Sequence, residues 1–481
     1  MTGHGESSPS KRRRALRWLA LPLVVAAALP ILHFTIAVST RLTPPSIELP
    51  PADPTRSWAV KRGGINEVYL QGSPEVIGAA HARWLGEHMK ANETQLWGQF
   101  RHFVPWWIAR VGIEDYSRLR FRHVDLGIPE ARRREIAAMA LAFQPDPFSH
   151  EMPTYQRLTF LYALYDIALP LETSPLIGCT SFGFDPEATA DGHSIVARTF
   201  DFEAGDVFDR DKAVFLVRED GAIPFASVAW PGFVGVVTGM NAEGVVVTVH
   251  GGRARRYVAQ GIPVAFSLRD VLQHAHDTAE AVEILKSQQV MVSHIVFVAD
   301  GGGHFAVVER APGEPAFVRD TKTHGTLGVT NHFEGPLASD PRNLHVRAVT
   351  TTLARRTRLD QLLADVAPHT ATPLGALAIL RDHACAGDDA CPLGDRRSID
   401  ALIATHGIVA DATDRVLWVS AGPHLLGRFV RLDLRRWLAA DLEASAVPEP
   451  ETMPEDPVLT ERHLTSRELE KQEATGPGGH P

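Results

Sequence analysis

Ile177-Gly178-Cys179-Thr180-Ser181 is the stretch on which the reading of this chain turns, taken with Ala197-Arg198-Thr199-Phe200-Asp201-Phe202 downstream. A cysteine nucleophile acts as its thiolate, and a free thiol has a pKa near ~8.5, so some group must take the proton. Here a glycine precedes the cysteine, and an arginine and an aspartate follow after a turn. That grouping suits a chain that cuts itself between Gly178 and Cys179. The freed α-amine, with an unperturbed pKa of about 7.7–8.0, would then serve as base for its own side chain. Cleavage would run by Sγ attack on the Gly178 carbonyl, an N-to-S shift and hydrolysis of the thioester. Glycine fits because it tolerates a strained backbone and puts no side chain in the way of that attack.

The chain has 481 residues, of which 44% are hydrophobic and 22% charged, enough for a large core in one large domain or two to three average ones. Its net charge of −9 argues against nucleic acid as a partner, since Lys and Arg are not pooled apart from one N-terminal cluster. That cluster is Lys11-Arg12-Arg13-Arg14, with Arg17 close behind, followed by an apolar run from Trp18 to about Val38. A run of this length can cross a bilayer core of about 30 Å as a helix. The basic residues 1–17 would stay in the cytoplasm, placing the rest of the chain outside it, in a periplasmic or extracellular space. A signal peptide has a shorter apolar stretch, about 7–15 residues, so residues 18–39 read first as an uncleaved anchor. Cleavage near Ala37-Val38-Ser39 is the alternative, and the paired arginines also permit twin-arginine export.

The cysteines are Cys179, Cys385 and Cys391. In an exported domain, Cys385 and Cys391 can pair across their short loop, leaving Cys179 as the odd thiol. A lone cysteine is by default a small buried hydrophobe; the neighbours of Cys179 point to chemistry instead.

Residues 40–64 are Pro-rich and read as a linker. Residues 65–178 read as mostly helical, from Glu75 to about Arg101 and across 106–172, with breaks at Pro129 and Pro145-Asp146-Pro147. Self-cleavage would release this part as an α fragment. From Cys179 to about residue 440 the pattern changes. Short β-branched and aromatic runs alternate with turn signals such as Asp191-Gly192, Glu243-Gly244 and Asp300-Gly301. Expected strands include Ser181–Phe184, Ser194–Arg198, Ala213–Arg218, Val234–Thr238, Val245–Val249, Gly407–Asp411 and Val416–Ser420. Helices are expected near Val264–Ser287, Pro341–Ala364 and Pro373–Ala384. Runs of strands with segregated helices give an α+β layered fold. Residues 446–481, rich in Pro, Glu and Thr, read as a disordered tail.

Gly178-Cys179-Thr180-Ser181, Asp191-Gly192 and Ala197–Phe202 together resemble the C45 peptidase family of autoproteolytic acyltransferases and hydrolases. This is the family of acyl-CoA:6-aminopenicillanate acyltransferase, within the N-terminal-nucleophile (Ntn) hydrolases. Gly239-Met240-Asn241-Ala242-Glu243-Gly244-Val245 and Thr330-Asn331-His332-Phe333 are similar to later family segments, followed by Ser339-Asp340-Pro341-Arg342. Upstream, Gly78-Ala79-Ala80-His81 resembles another, and downstream so do His406–Asp411 and Leu417–Gly422. The resemblance covers roughly residues 65–435. It implies a four-layer αββα sandwich preceded by a helical pro-segment, acyl transfer through a thioester on Cys179, and linear amides of N-acyl compounds as substrates.

By the same resemblance, Cys179 supplies nucleophile and, after cleavage, base. Arg198 positions the thiolate, its other reading being an ion pair with Asp201. Asp201 holds the new α-amine. Asn331 donates to the oxyanion, a contribution worth ~3 kcal/mol. Arg342 closes the network behind the cysteine, with Arg347 as its rival. His250 stands where the family usually has an asparagine that helps form the oxyanion hole. A neutral histidine could donate one N–H there, a protonated one would add charge, and a pocket-wall role is the third reading.

No cofactor and no metal are expected, since the histidines show no ligand spacing; His274 and His276 do not share a helix face. The expected partners are a small N-acyl substrate, the membrane through the N-terminal helix, and the chain's own α and β fragments. Two alternatives stay open at this point: a lipid or ester deacylase of the phospholipase B-like kind, and a non-catalytic membrane-anchored binding relative.

Overall fold

The computed structural model describes residues 28–168, 177–203, 205–320, 325–387 and 391–461. In chain order its strands are β1 (Ser57–Arg62), β2 (Ile65–Gly72), β3 (Ile177–Phe184), β4 (Ile195–Phe202), β5 (Ala213–Glu219), β6 (Phe225–Ala229), β7 (Thr238–Asn241) and β8 (Val246–Gly251). There follow β9 (His294–Ala299), β10 (Phe305–Arg310), β11 (Phe317–Arg319), β12 (Thr326–Val329), β13 (Ala404–Asp411), β14 (Val416–Ser420), β15 (Phe429–Asp433) and β16 (Thr452–Met453). They form a nine-stranded sheet in the order β1-β2-β5-β6-β7-β8-β9-β10-β11 and a seven-stranded sheet in the order β12-β3-β4-β13-β14-β15-β16. Neighbours run antiparallel except β2 and β5, which pair in parallel.

Side chains alternate between the two faces of a strand, and each sheet here is apolar on both. Between the sheets lie Tyr69, Val214, Met240 and Phe297 from the larger one against Val196, Ile408 and Leu417 from the smaller. The outer face of the larger sheet packs Val68, Phe215, Val247 and Val296 against helices Pro74–Phe103, Glu130–Ala142, Thr154–Tyr162 and Val264–His274. The outer face of the smaller sheet packs Phe182, Phe184 and Val409 against helices Thr352–Ala364 and Pro373–Leu380. The layers are therefore α, β, β, α. Each buried Leu, Val or Phe contributes roughly 1.5–3 kcal/mol.

Several boundaries differ from expectation. The end of the expected linker is β1, and the nominally helical segment opens with β2, so two strands ahead of Cys179 complete the larger sheet. The part of the chain ahead of Cys179 thus belongs to the sheet rather than lying over it. The segment is also held by buried charge: Arg269 donates to Glu135 at 3.0 Å and to Glu219 at 3.1 Å, and Arg132 pairs with both carboxylates. The expected strand at Val234–Thr238 begins only at Thr238, because Gly235 and Val236 run along the start of helix Val264–His274, with Val236 N–H on the Ala265 carbonyl. The single helix expected over Val264–Ser287 is two, the second capped by Asp277.

Part of the expected tail is ordered too: β16 pairs with β15, Met453 packs on the outer core, and Arg381 donates to the Pro454 carbonyl at 2.9 Å. Residues 462–481 lie outside the described residues, as do 1–27, which include the basic cluster and the first half of the apolar run. Residues 28–39 form a helix. Among the described residues no helix is long and apolar enough to cross a membrane.

Candidate active site

Cys179 sits on β3, which lies between β12 and β4, with Gly178 opposite Asp201, Cys179 opposite Phe200 and Ser181 opposite Arg198. Strand alternation sorts these residues. Cys179 and Ser181 face the space between the sheets, while Thr180 and Phe182 face the outer helices. On β4 Arg198 shares the inner side and Asp201 the outer side. Cys179 is fully buried.

Arg198 is also fully buried and reaches the thiol, with Nη2 3.5 Å from Sγ. Its guanidinium is fixed by the Val237 carbonyl at 2.8 Å and the Val249 carbonyl at 2.9 Å, and it lies over the Phe200 ring at 4.5 Å. It forms no ion pair with Asp201 among the described residues, because the two leave β4 on opposite faces. Burial pushes the Cys179 thiol above its ordinary range, and the Arg198 charge opposes this. In the uncut chain the cysteine is thus a protonated thiol beside a fixed cation.

Asp201 lies beside Gly178. A Cβ on residue 178 would stand 2.7 Å from Asp201 Oδ2, so glycine here makes room for the carboxylate. The backbone is ordinary strand here, without the strained geometry expected of this glycine. Asp201 accepts from Thr199 Oγ1 at 2.9 Å. Burial raises its pKa, and the Arg355 charge pulls it back.

Asn331 follows β12 and is held by its own N–H on Thr352 Oγ1 at 2.9 Å. Its side-chain oxygen accepts the Cys179 N–H at 2.8 Å and an Arg355 N–H at 2.8 Å. Two donors on one atom fix the orientation of the amide. Asn331 Nδ2 is then a buried donor with no partner among the described residues. It lies next to Gly251, which lines a cavity.

His250, on β8, is fully buried. Its Nε2 meets Ser181 Oγ at 2.9 Å and Thr248 Oγ1 at 3.2 Å, and its Nδ1 has no partner among the described residues. Burial first, then the Arg198 charge, hold it well below the usual histidine range, so it is neutral. The protonated reading is removed.

Arg342, expected behind the cysteine, is not there. It occupies the first turn of helix Pro341–Val349, where its N–H meets the capping Asp340. Arg347 is on the same helix. The residue in that place is Arg355, on the next helix: it donates to the Cys179 carbonyl at 2.7 Å, to Thr180 Oγ1 at 2.9 Å and to Asn331. A sequence signal for it exists. Thr352, Arg355, Leu359 and Leu363 make the buried stripe of helix Thr352–Ala364, and an arginine on an apolar stripe needs a partner.

The upstream Gly78–His81 segment has structural work. Gly78 lets its helix meet the Glu135 carbonyl, 2.0 Å from where a Cβ would be. His81, its pKa pushed down to about 3 by burial, accepts the Gly232 N–H at 2.8 Å. Cys385 and Cys391 are joined as a disulfide.

A cavity of about 300 Å³ opens beside the cysteine, within the usual size range of ligand pockets. Phe200, Phe208, Trp230, Val237 and Val249 form one wall, and Met89, Leu96, Leu158 and Leu161 of the upstream helices form the other. Cys179 belongs to the same apolar cluster as Phe200, Phe208 and Trp230.

Residues 188–384 match the family described as acyl-coenzyme A:6-aminopenicillanic acid acyl-transferase. The resemblance read from the sequence stands over that stretch, which carries Arg198, Asp201, His250, Asn331 and Arg355 and begins after Cys179. An uncharacterized protein of Archaeoglobus fulgidus is 29% identical over 145 residues, 29% of this chain and 24% of that protein. The chain thus spans about a quarter of the length of that relative. Among solved structures, a Caenorhabditis elegans N-acylethanolamine-hydrolyzing acid amidase ortholog is 15% identical, covering 49% of this chain and 93% of that one, with a TM-score of 0.36. Penicillin V acylase from Agrobacterium tumefaciens is 16% identical, covering 58% and 99%, with a TM-score of 0.34. A conjugated bile acid hydrolase mutant from Clostridium perfringens is 12% identical, covering 58% and 97%, with a TM-score of 0.37.

Proposed function

We propose that this chain is a self-cleaving Ntn cysteine amidohydrolase or acyltransferase, acting on linear amides of N-acyl compounds. The observation that carries the reading is the pair of contacts on Cys179: its N–H on Asn331 Oδ1 and its Sγ on Arg198. In self-cleavage Sγ attacks the Gly178 carbonyl carbon, the Gly178–Cys179 C–N bond breaks, and the nitrogen leaves as an α-amine. Water hydrolyses the thioester, giving the Gly178 carboxylate and a free thiol.

In the mature enzyme the α-amine takes the thiol proton and the thiolate attacks the substrate carbonyl. Asn331 Nδ2, now unpartnered, would donate to the oxyanion. Asp201 would hold the amine once Gly178 is no longer bonded to it, and Arg355 would hold Asn331 and the Cys179 carbonyl. The leaving amine departs with the proton, and water or a second amine takes the acyl group. The apolar cavity against Phe200 supports a long aliphatic or aromatic acyl chain. The apolar run and its basic flank support an anchored chain with this site outside the cytoplasm.

The test is the intact mass and N-terminal sequence of the purified protein. Two fragments, one beginning Cys179-Thr180-Ser181, are expected. Cys179→Ala should leave one inactive chain, and processing that continued in this variant would end the reading.

A further inference from the structure

The corner between helices Pro74–Phe103 and Trp107–Arg120 exposes Phe103, Trp106, Trp107 and Ile108, the two tryptophans at 76% and 65%. Neighbouring large apolar side chains left in water this way mark an interaction surface. Three further observations name the occupant. First, Phe103 also lines the apolar cavity beside the candidate site, so the corner is continuous with the cavity mouth. Second, the helix at 28–39 ends the apolar run and is tied to helix Trp107–Arg120 by His33 Nδ1 on Asp115 Oδ1 at 2.8 Å. Ile36 of that helix is buried, whereas Ile31, Leu32, Phe34 and Val38 are exposed. Third, Arg110 donates to the Val104 and Pro105 carbonyls at the corner, and Arg101, one turn before it, pairs with Glu151, in a chain of net charge −9. Tryptophan at the level of lipid headgroups, flanked by arginine, is the pattern of a bilayer interface.

We infer that this corner rests in the headgroup region of an anionic bilayer, so that the cavity mouth opens at the lipid surface and takes acyl chains from it. The helix at 28–39 would fix the distance between bilayer and corner. The bilayer contact stands on exposed residues alone, while the uptake of acyl chains rests on the acyl-amide reading proposed above.

The test uses the full chain in vesicles of equal parts phosphatidylcholine and phosphatidylglycerol, with bromine on the acyl chains to quench nearby tryptophan. The wild type is compared with a Trp106→Ser, Trp107→Ser variant. Removing the two corner tryptophans should cut the quenching by more than half, with the far-ultraviolet dichroism unchanged. Equal quenching of the two proteins would overturn the inference. A Trp107→Cys variant separates lipid from a second copy: efficient disulfide cross-linking between chains through the introduced thiol in the vesicles would assign the corner to self-association and overturn it too.

Discussion

Asn331 turns its side-chain oxygen to the Cys179 N–H at 2.8 Å and keeps its amide nitrogen buried without a partner among the described residues. One side chain thus grips the atom that would become the base and, in the proposed reaction, would offer its free donor to the oxyanion. Asn331→Ala should lower turnover of the mature enzyme by about 10²–10³-fold, the usual cost of one lost oxyanion donor. Asn331→Asp keeps the acceptor for Cys179 but lacks the donor, so fragments should still form while turnover falls. Single-turnover acylation separates the two; an Asp variant that acylates at the normal rate would remove the donor role.

Arg355 and Arg342 make opposite predictions. Arg355 holds Cys179, Thr180 and Asn331 through a forked guanidinium that lysine cannot copy. Arg355→Lys should slow self-cleavage by at least about ten-fold, on the scale of losing one charged hydrogen bond. Arg342→Ala should leave cleavage unchanged. Both are read from the fraction of cut chain over time after synthesis; equal rates in the two variants would show that Arg355 is only structural.

Legibility of the sequence followed the length of its patterns. The short β-branched and aromatic runs around Phe182–Phe184, Val196–Arg198 and Val245–Val249 are set off by turn signals, and those strands stand nearly where the runs put them. β1 and β2 form a hairpin across Gly63-Gly64, between a Pro-rich stretch and one dominated by helical spacing, and β5, the other neighbour of β2, lies far along the chain with no local turn to signal that pairing. β12, four residues with a glycine, carries too little pattern to stand out. At the site, Cys179, Arg198, Asp201 and Asn331 come together as their motifs suggest. Arg355 comes from a helix with three arginines in four positions, and only the burial of one face tells them apart.

The cavity predicts a chain-length series. Each methylene moved from water into apolar walls contributes about 0.8 kcal/mol, so kcat/KM should rise roughly four-fold per added carbon until the cavity is full. Leu96→Trp or Leu161→Trp should shorten the series, lowering activity on long acyl amides while leaving short ones within about two-fold of the wild type. A flat series in the wild type would place the acyl group elsewhere.

Gly178→Ala tests the space beside Asp201. The added methyl meets Oδ2 at 2.7 Å, so the carboxylate or the strand must shift. Cleavage should slow by at least about ten-fold, since a displacement near 1 Å can cost ~10² in rate. Gly178→Ala combined with Asp201→Asn should not restore it, because asparagine is as large as aspartate. Rapid cleavage in the single variant would show that Asp201 is not needed in its present place.

Asp166 makes the stability of the fold fall as the pH rises. It is buried, accepts the Val264 N–H with both oxygens at 3.2 Å, and burial pushes its pKa up to about 8. The unfolded chain releases that proton near ~3.9. Between these values the folded state holds one proton more, so its stability falls as pH rises, by up to about 1.4 kcal/mol per pH unit. Above about 8 the loss is complete and the slope ends. Asp166→Asn cannot titrate and keeps one acceptor for Val264. In a Cys179→Ala background, which keeps the chain in one piece, urea unfolding at about pH 5 and about pH 7 should show the Asp166→Asn variant gaining on its parent by roughly 2–3 kcal/mol. Parallel behaviour of the two chains would mean that Asp166 is already ionised in the fold, with water or a cation reaching it.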